Sequence, residues 1–146
     1  MNGMNPVDRF QVRPLHHQVG ICDLDAVEVP RWETGEEPLV ADQRCVLVAT
    51  RGDQDPVELE VWVGEPATPA PGPLLFDGEL WVTGQGVEVG DLVAGDGHQL
   101  QLPVGWHRLR IWVDQPGDAG RLRIVFDPAP DRPSQPAPPA TTRPPT

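Results

Sequence analysis

The chain has 146 residues, 22 acidic against 11 basic, and a formal net charge of −11 at neutral pH. Nucleic-acid affinity comes mostly from clustered positive charge, so this balance argues against phosphate-backbone binding and is compatible with a basic protein as partner. No window approaches the roughly 18 apolar residues of a membrane span, and MNGMNPVDRFQV lacks the apolar core of a signal peptide, so the expected address is the cytoplasm.

Residues 1–8 carry no pattern and are expected to be loose. Residues 10–13 alternate, Pro14 interrupts, and Leu15, His17, Val19 and Ile21 then alternate with His16, Gln18, Gly20 and Cys22. This predicts one long first strand, kinked or placed at an edge by Pro14, with His17 in or near the core. Residues 23–43 hold Asp23, Asp25, Glu28, Glu33, Glu36 and Glu37 with little periodicity. A short strand is expected at 26–29; the rest reads as a loop with Trp32 as its anchor, and loops this long are functional or mobile. Residues 45–49 are apolar throughout, as in a strand covered on both faces. Cys22 and Cys45 are the only cysteines, and without an export signal they are expected as free buried thiols rather than a disulfide.

Residues 51–56 form a turn, and Arg51-Gly52-Asp53 within it matches the integrin tripeptide by chance. Residues 57–63 alternate most cleanly, with Val57, Leu59, Val61 and Val63 inward and Glu58, Glu60 and Trp62 outward. Residues 65–73 are a stiff Pro-rich connector. Short strands follow at 74–76, 79–83 and 87–89, punctuated by Asp77-Gly78, Gly84-Gln85-Gly86 and Gly90-Asp91, with Trp81 outward. Residues 99–114, QLQLPVGWHRLRIWVD, carry two alternating runs about Pro103-Val104-Gly105 and predict a β-hairpin. Its outward positions are Trp106, Arg108, Arg110 and Trp112, whereas His107 shares the parity of Leu109 and Ile111, as a hydrogen-bonded interior histidine would. Residues 121–126 turn Leu122, Ile124 and Phe126 inward. The remainder, 128–146, is Pro-rich, low-complexity and expected to be disordered. Eight or nine short strands without an amphipathic helix predict an all-β domain over 9–127, an antiparallel β-sandwich of jelly-roll-like or immunoglobulin-like form.

Charge is uneven: residues 21–65 carry 12 acids and 3 Arg, whereas residues 106–126 carry 2 acids and 4 Arg. The outward Glu, Trp and Arg positions have two readings. They form cross-strand ion pairs and Arg–Trp stacks within one sheet, or they form an exposed interaction surface of the residue types that dominate binding hot spots.

Candidate chemistry is sparse. His16, His17, Cys22, Asp23 and Asp25 are the one cluster of metal-ligand types, but neighbouring residues on a strand face opposite ways and no zinc spacing is present. The single serine, Ser134, lies in the tail, and neither cysteine sits in a nucleophile elbow. No catalytic residue, cofactor or metal is assigned.

The pair His17-Gln18 followed by Asp23, and the late pattern Leu102-Pro103-x-Gly105-x-x-Arg108-x-Arg110, resemble the competence protein J-like β-sandwich proteins. Many of these are small acidic bacterial proteins, and the best-understood members inhibit a DNA-entry nuclease by binding it directly. The resemblance implies a non-enzymatic binding protein whose acidic surface meets a basic partner. The reading that follows is an inhibitor or immunity-type partner of a basic nuclease or toxin; in it the loop's own charge assigns Asp23, Asp25, Glu28, Glu33, Glu36 and Glu37 to steering, and Trp32 is the apolar anchor. Two alternatives belong to other classes. One is a small-molecule or carbohydrate-binding sandwich using Trp62, Trp81 and Trp112; the other is a metal-dependent enzyme on the His16-to-Asp25 segment.

Overall fold

The computed structural model describes residues 6–26, 28–52, 55–83, 86–92 and 95–128. In chain order the strands are β1 (Asp8–Val12), β2 (Gln18–Asp23), β3 (Leu39–Ala41), β4 (Cys45–Ala49) and β5 (Val57–Val63). They continue as β6 (Leu74–Val82), β7 (Val87–Asp91), β8 (Asp96–Leu100), β9 (Gly105–Val113) and β10 (Arg121–Pro128). Two five-stranded sheets result, ordered β1-β5-β10-β9-β6 and β3-β4-β2-β7-β8. The predicted all-β sandwich is therefore present, with ten strands rather than eight or nine. One neighbour pair, β5 and β10, is parallel, which departs from the all-antiparallel expectation. Distant in sequence, these strands are not constrained by a tight turn to run in opposite directions.

Period-two alternation places one apolar row of each strand between the sheets. Val12, Leu59, Val61, Leu109, Ile111, Leu122, Ile124 and Phe126 of the first sheet meet Val19, Ile21, Val46, Val48, Val87 and Val89 of the second, all buried. His107 shares that interior, and its Nε2–H donates to the Pro103 carbonyl at 2.7 Å.

Several local expectations are corrected. The strand read as kinked at Pro14 is two strands, β1 and β2, in different sheets. His17 is exposed in the bend before β2, with φ 58°, not in the core. Nor is 99–114 a hairpin: β8 ends in the second sheet, β9 begins in the first, and buried Leu102 lies in the crossing. Alternation establishes that a run buries one face; it does not establish which strand lies beside it. Residues 74–82 are one strand, with Asp77 and Gly78 paired to Arg110 and Leu109 instead of turning. The absence of a side chain at Gly78 leaves room for the Phe76 ring: a Cβ there would lie 2.6 Å from Phe76 Cζ. Residues 26, 28 and 29 form no strand, whereas β3 arises inside the segment read as loop. The Val7 amide donates to the Val61 carbonyl, so the chain is already held before β1. Residues 1–5, Asp53 and most of the expected disordered tail (129–146) lie outside the described residues.

The Pro-rich connector has a geometric task. β5 and β6 are separated by β10 and β9, and β6 starts at the end of the sheet opposite to where β5 finishes. Three strand spacings and about four residues of strand height make a diagonal of roughly 20 Å, which ten residues at about 3.1 Å each can span in polyproline form. The connector crosses the outer face of the first sheet: Arg123 donates to the Thr68 carbonyl (2.7 Å) and hydroxyl (2.6 Å), and the Val113 amide to the Pro73 carbonyl (3.1 Å). Beneath this strap Trp62 is 1% exposed and Val125 is buried. The expectation that Trp62 points to solvent and Val63 to the core is thus inverted, since Val63 is 43% exposed.

Candidate functional site

Register across the outer face of the first sheet aligns Arg9, Glu60, Arg123 and Trp112 on four adjacent strands. Glu60 accepts from Arg123 Nε at 2.8 Å, from the Trp62 indole N–H at 2.7 Å and from Arg9 at 3.3 Å. Burial pushes the Glu60 carboxyl up, but hydrogen bonds from Trp62 and Arg123 and the two positive charges outweigh it and leave it below its ordinary value. The Arg123 guanidinium lies 5.2 Å from the Trp62 ring and that of Arg110 5.3 Å from the Trp112 ring. Arg110 also donates to Asp127 at 2.8 Å. Arg108 forks onto Asp77 at 2.9 and 2.8 Å; this hydrogen bonding lowers the Asp77 carboxyl and raises the Arg108 guanidinium. These residues form cross-strand ion pairs and stacks, the structural one of the two readings.

The carbohydrate alternative loses two of its three rings; Trp112 stays half-buried, with the Arg110 guanidinium against it. Trp62 and Trp81 are both buried, and Trp81 packs edge-on to Trp106 at 5.3 Å. Stacking on a sugar needs an accessible indole face, which neither residue offers. Strand parity assigned these rings to the outer face, but parity carries no information about a segment laid over that face.

The acidic loop behaves differently. Residues 24–26 and 28–38 lie between the end of β2 and the edge strand β3 and form a strap over the outer face of the second sheet. Cys22 and Cys45, partners in the β2–β4 register, are joined by a disulfide. This corrects the expectation of free thiols: strand pairing, invisible in the spacing of 23 residues, sets the two side chains side by side. Trp32 packs on the cluster of Cys22, Cys45 and Leu47, with Val40 and Leu92 around it, and its indole N–H donates to Gln18 Oε1 at 2.8 Å. The predicted anchor of the loop thus rests on the disulfide.

Asp23 is not at the surface. Its side chain is fully buried, pairs with Arg44 at 2.7 Å and accepts from the Thr83 amide (2.8 Å) and hydroxyl (3.0 Å). It ties three chain segments together and has no face left for a partner. Asp25 is exposed and accepts from the Thr83 hydroxyl at 2.9 Å. Glu37 is turned inward on the strap, accepting from the amides of Glu33, Thr34 and Gly35 at 2.7–3.2 Å and from the Thr34 hydroxyl at 3.1 Å. Its own amide, then those of Glu33 and Thr34 and the Thr34 hydroxyl, hold the carboxyl down to about 2 against the opposing effect of burial. Glu28, Glu33 and Glu36 are exposed. Of the seven residues assigned to a partner, Asp23 and Glu37 build the strap, Trp32 seats it, and Asp25, Glu28, Glu33 and Glu36 are presented by it.

The metal alternative is not assembled. His16 and His17 are exposed, Cys22 is in the disulfide and Asp23 is held by Arg44. No group of three or more potential ligands comes together among the described residues. One pairing escaped the sequence reading: Phe10 stacks on His98 with ring centroids 3.5 Å apart, and His98 Nδ1 lies 2.7 Å from Asp8 Oδ2. This clasp joins the edge strands β1 and β8 of the two sheets, and no local pattern points to it.

The protein is therefore a two-sheet β-sandwich with both outer faces strapped, one strap Pro-rich and internal in its bonding, the other carrying exposed acids. Its fold is similar to that of ComJ from Bacillus subtilis, an inhibitor of the DNA-degrading activity of NucA. The TM-score is 0.65 over 86% of this chain and 98% of that one, at 12% identity. No family model and no curated protein matches the chain. The likeness implied by the short motifs thus holds at the level of fold.

Proposed function

We propose that the protein is a non-enzymatic inhibitor that binds a basic nuclease or toxin through the acidic strap. The observation that carries this reading is the internal bonding of the strap: Glu37 and Trp32 hold it, leaving Glu33 and Glu36 exposed on a segment already shaped before any partner arrives. Preorganisation cuts the ordering cost of association, and carboxylates on one side of the molecule speed encounter with a cationic surface. The fold it shares with a nuclease inhibitor supports the same reading. No helix among the described residues is long and apolar enough to cross a membrane.

The test uses extracts of the source organism. Proteins retained on a cation exchanger are fractionated and assayed for plasmid degradation with and without the purified protein. At least one fraction is expected to be inhibited, with inhibition weakening as salt rises because screening shortens the reach of the strap's charges. The double variant E33Q/E36Q is expected to inhibit about tenfold less well. Failure to inhibit any fraction at low salt, or undiminished inhibition by E33Q/E36Q, refutes the proposal.

A further inference from the structure

The disulfide closes a ring that contains the whole acidic strap. Cys22 and Cys45 are 23 positions apart, and Asp25, Glu28, Trp32, Glu33, Glu36 and Glu37 all lie between them. The buried Asp23–Arg44 ion pair occupies the next position inward on each stem, and Trp32 packs against the cluster that the two cysteines form with Leu47. The strands that carry the cysteines, however, are paired along five positions of β2 and β4 and packed against the interior by Val19, Ile21, Val46 and Val48. Opening the sulfur–sulfur bond therefore leaves the sheet its ladder and its core, while it changes the floor on which the strap's anchor rests.

We infer that Cys22–Cys45 is a redox latch on the acidic strap: the oxidised form holds the strap shaped for a partner, and the reduced form releases it. The inference rests on the proposed function for its consequence but not for its mechanism. The chemistry is thiol–disulfide exchange with a small dithiol or dithiol protein. The attacking thiolate forms a mixed disulfide with one protein sulfur and expels the other as thiolate, which takes up a proton. The reductant's second thiol then displaces the remaining cysteine. The protein gains two electrons and two protons, the reductant becomes a disulfide, and the reverse reaction closes the latch. Cys22 is the less buried residue of the pair, 6% exposed against 0% for Cys45. Once unbonded, the two sulfurs must part to van der Waals distance, lifting Trp32 from its seat and loosening its hydrogen bond to Gln18. Removing the crosslink also frees the ring ends, so the strap opens more often and its peptide bonds become available to proteases.

The experiment follows cleavage after Glu33 and Glu36 by a glutamyl endopeptidase, in the full chain, before and after treatment with dithiothreitol. Reduction is expected to raise that rate about tenfold, re-oxidation to restore it, and the far-ultraviolet circular dichroism to remain that of an intact β-sandwich. The C22A/C45A variant is expected to cleave at the reduced rate with or without the reductant. Equal cleavage rates in the two redox states overturn the latch, and so does loss of the β spectrum on reduction, which would make the disulfide a staple of the whole fold. Nuclease inhibition measured alongside separates the two ideas. Protection that tracks redox state supports the latch whatever the inhibition assay shows, and equal rates overturn it even where inhibition is found.

Discussion

Replacing Asp23 by alanine separates a structural role from a recognition role at the base of the acidic strap. The carboxylate is fully buried, paired with Arg44 at 2.7 Å and hydrogen-bonded to the amide and hydroxyl of Thr83. Breaking a buried ion pair from one side costs about 3–5 kcal/mol, because the surviving charge is left without compensation. Arg44 remains 23% exposed and regains part of its hydration, which pulls that figure down. The Thr83 amide loses its acceptor, which adds about 1–3 kcal/mol where water cannot replace it. The expected net cost of D23A is about 3 kcal/mol, corresponding to a fall in Tm of about 10 °C for a domain of this size. Urea unfolding followed by tryptophan fluorescence measures it, with R44A and the double variant completing a cycle whose coupling energy should exceed about 1 kcal/mol. A cost below about 1 kcal/mol with unchanged Tm would refute the reasoning, because a residue that only met a partner would behave in that way.

The strap over the first sheet makes a second stability prediction: W62A should cost about 3–5 kcal/mol in the same assay, since the ring is fully buried and stacks with Arg123. The E33Q/E36Q variant should instead stay within about 0.5 kcal/mol of the parent, both side chains being exposed. Glu37 sets an acid limit on the second strap. Its folded value of about 2 lies below the ordinary 4.5, so its contribution is fully present above pH 4.5 and is lost as pH falls through about 2. Amide exchange at Glu33, Thr34 and Gly35 should accelerate across that window while β4 and β5 amides remain protected. Uniform acceleration of strap and strands would contradict it.

The inward rows of β9 and β10, and that of β5 as far as Val61, were legible residue by residue, because a side chain's face depends only on its position along its own strand. The acidic composition of the loop and the choice of Trp32 as its anchor were legible for a similar reason: one large apolar residue in a polar segment has few places to go. The roles of Asp23 and Glu37 were not legible, since a buried ion pair and a ring of amide donors are written in chain segments that only folding brings together.

Sequence alone thus determined that this is an all-β molecule of short ribbons with an acid-rich loop, because alternation, turn residues and charge are local properties. Tertiary structure decided which ribbons are neighbours, that 99–114 crosses between sheets, that Cys22 meets Cys45, and that two long segments strap the outer faces. The physical reason is the same in each case. Backbone hydrogen bonding between strands is indifferent to separation along the chain, so partners and coverings are chosen by the packing of the whole.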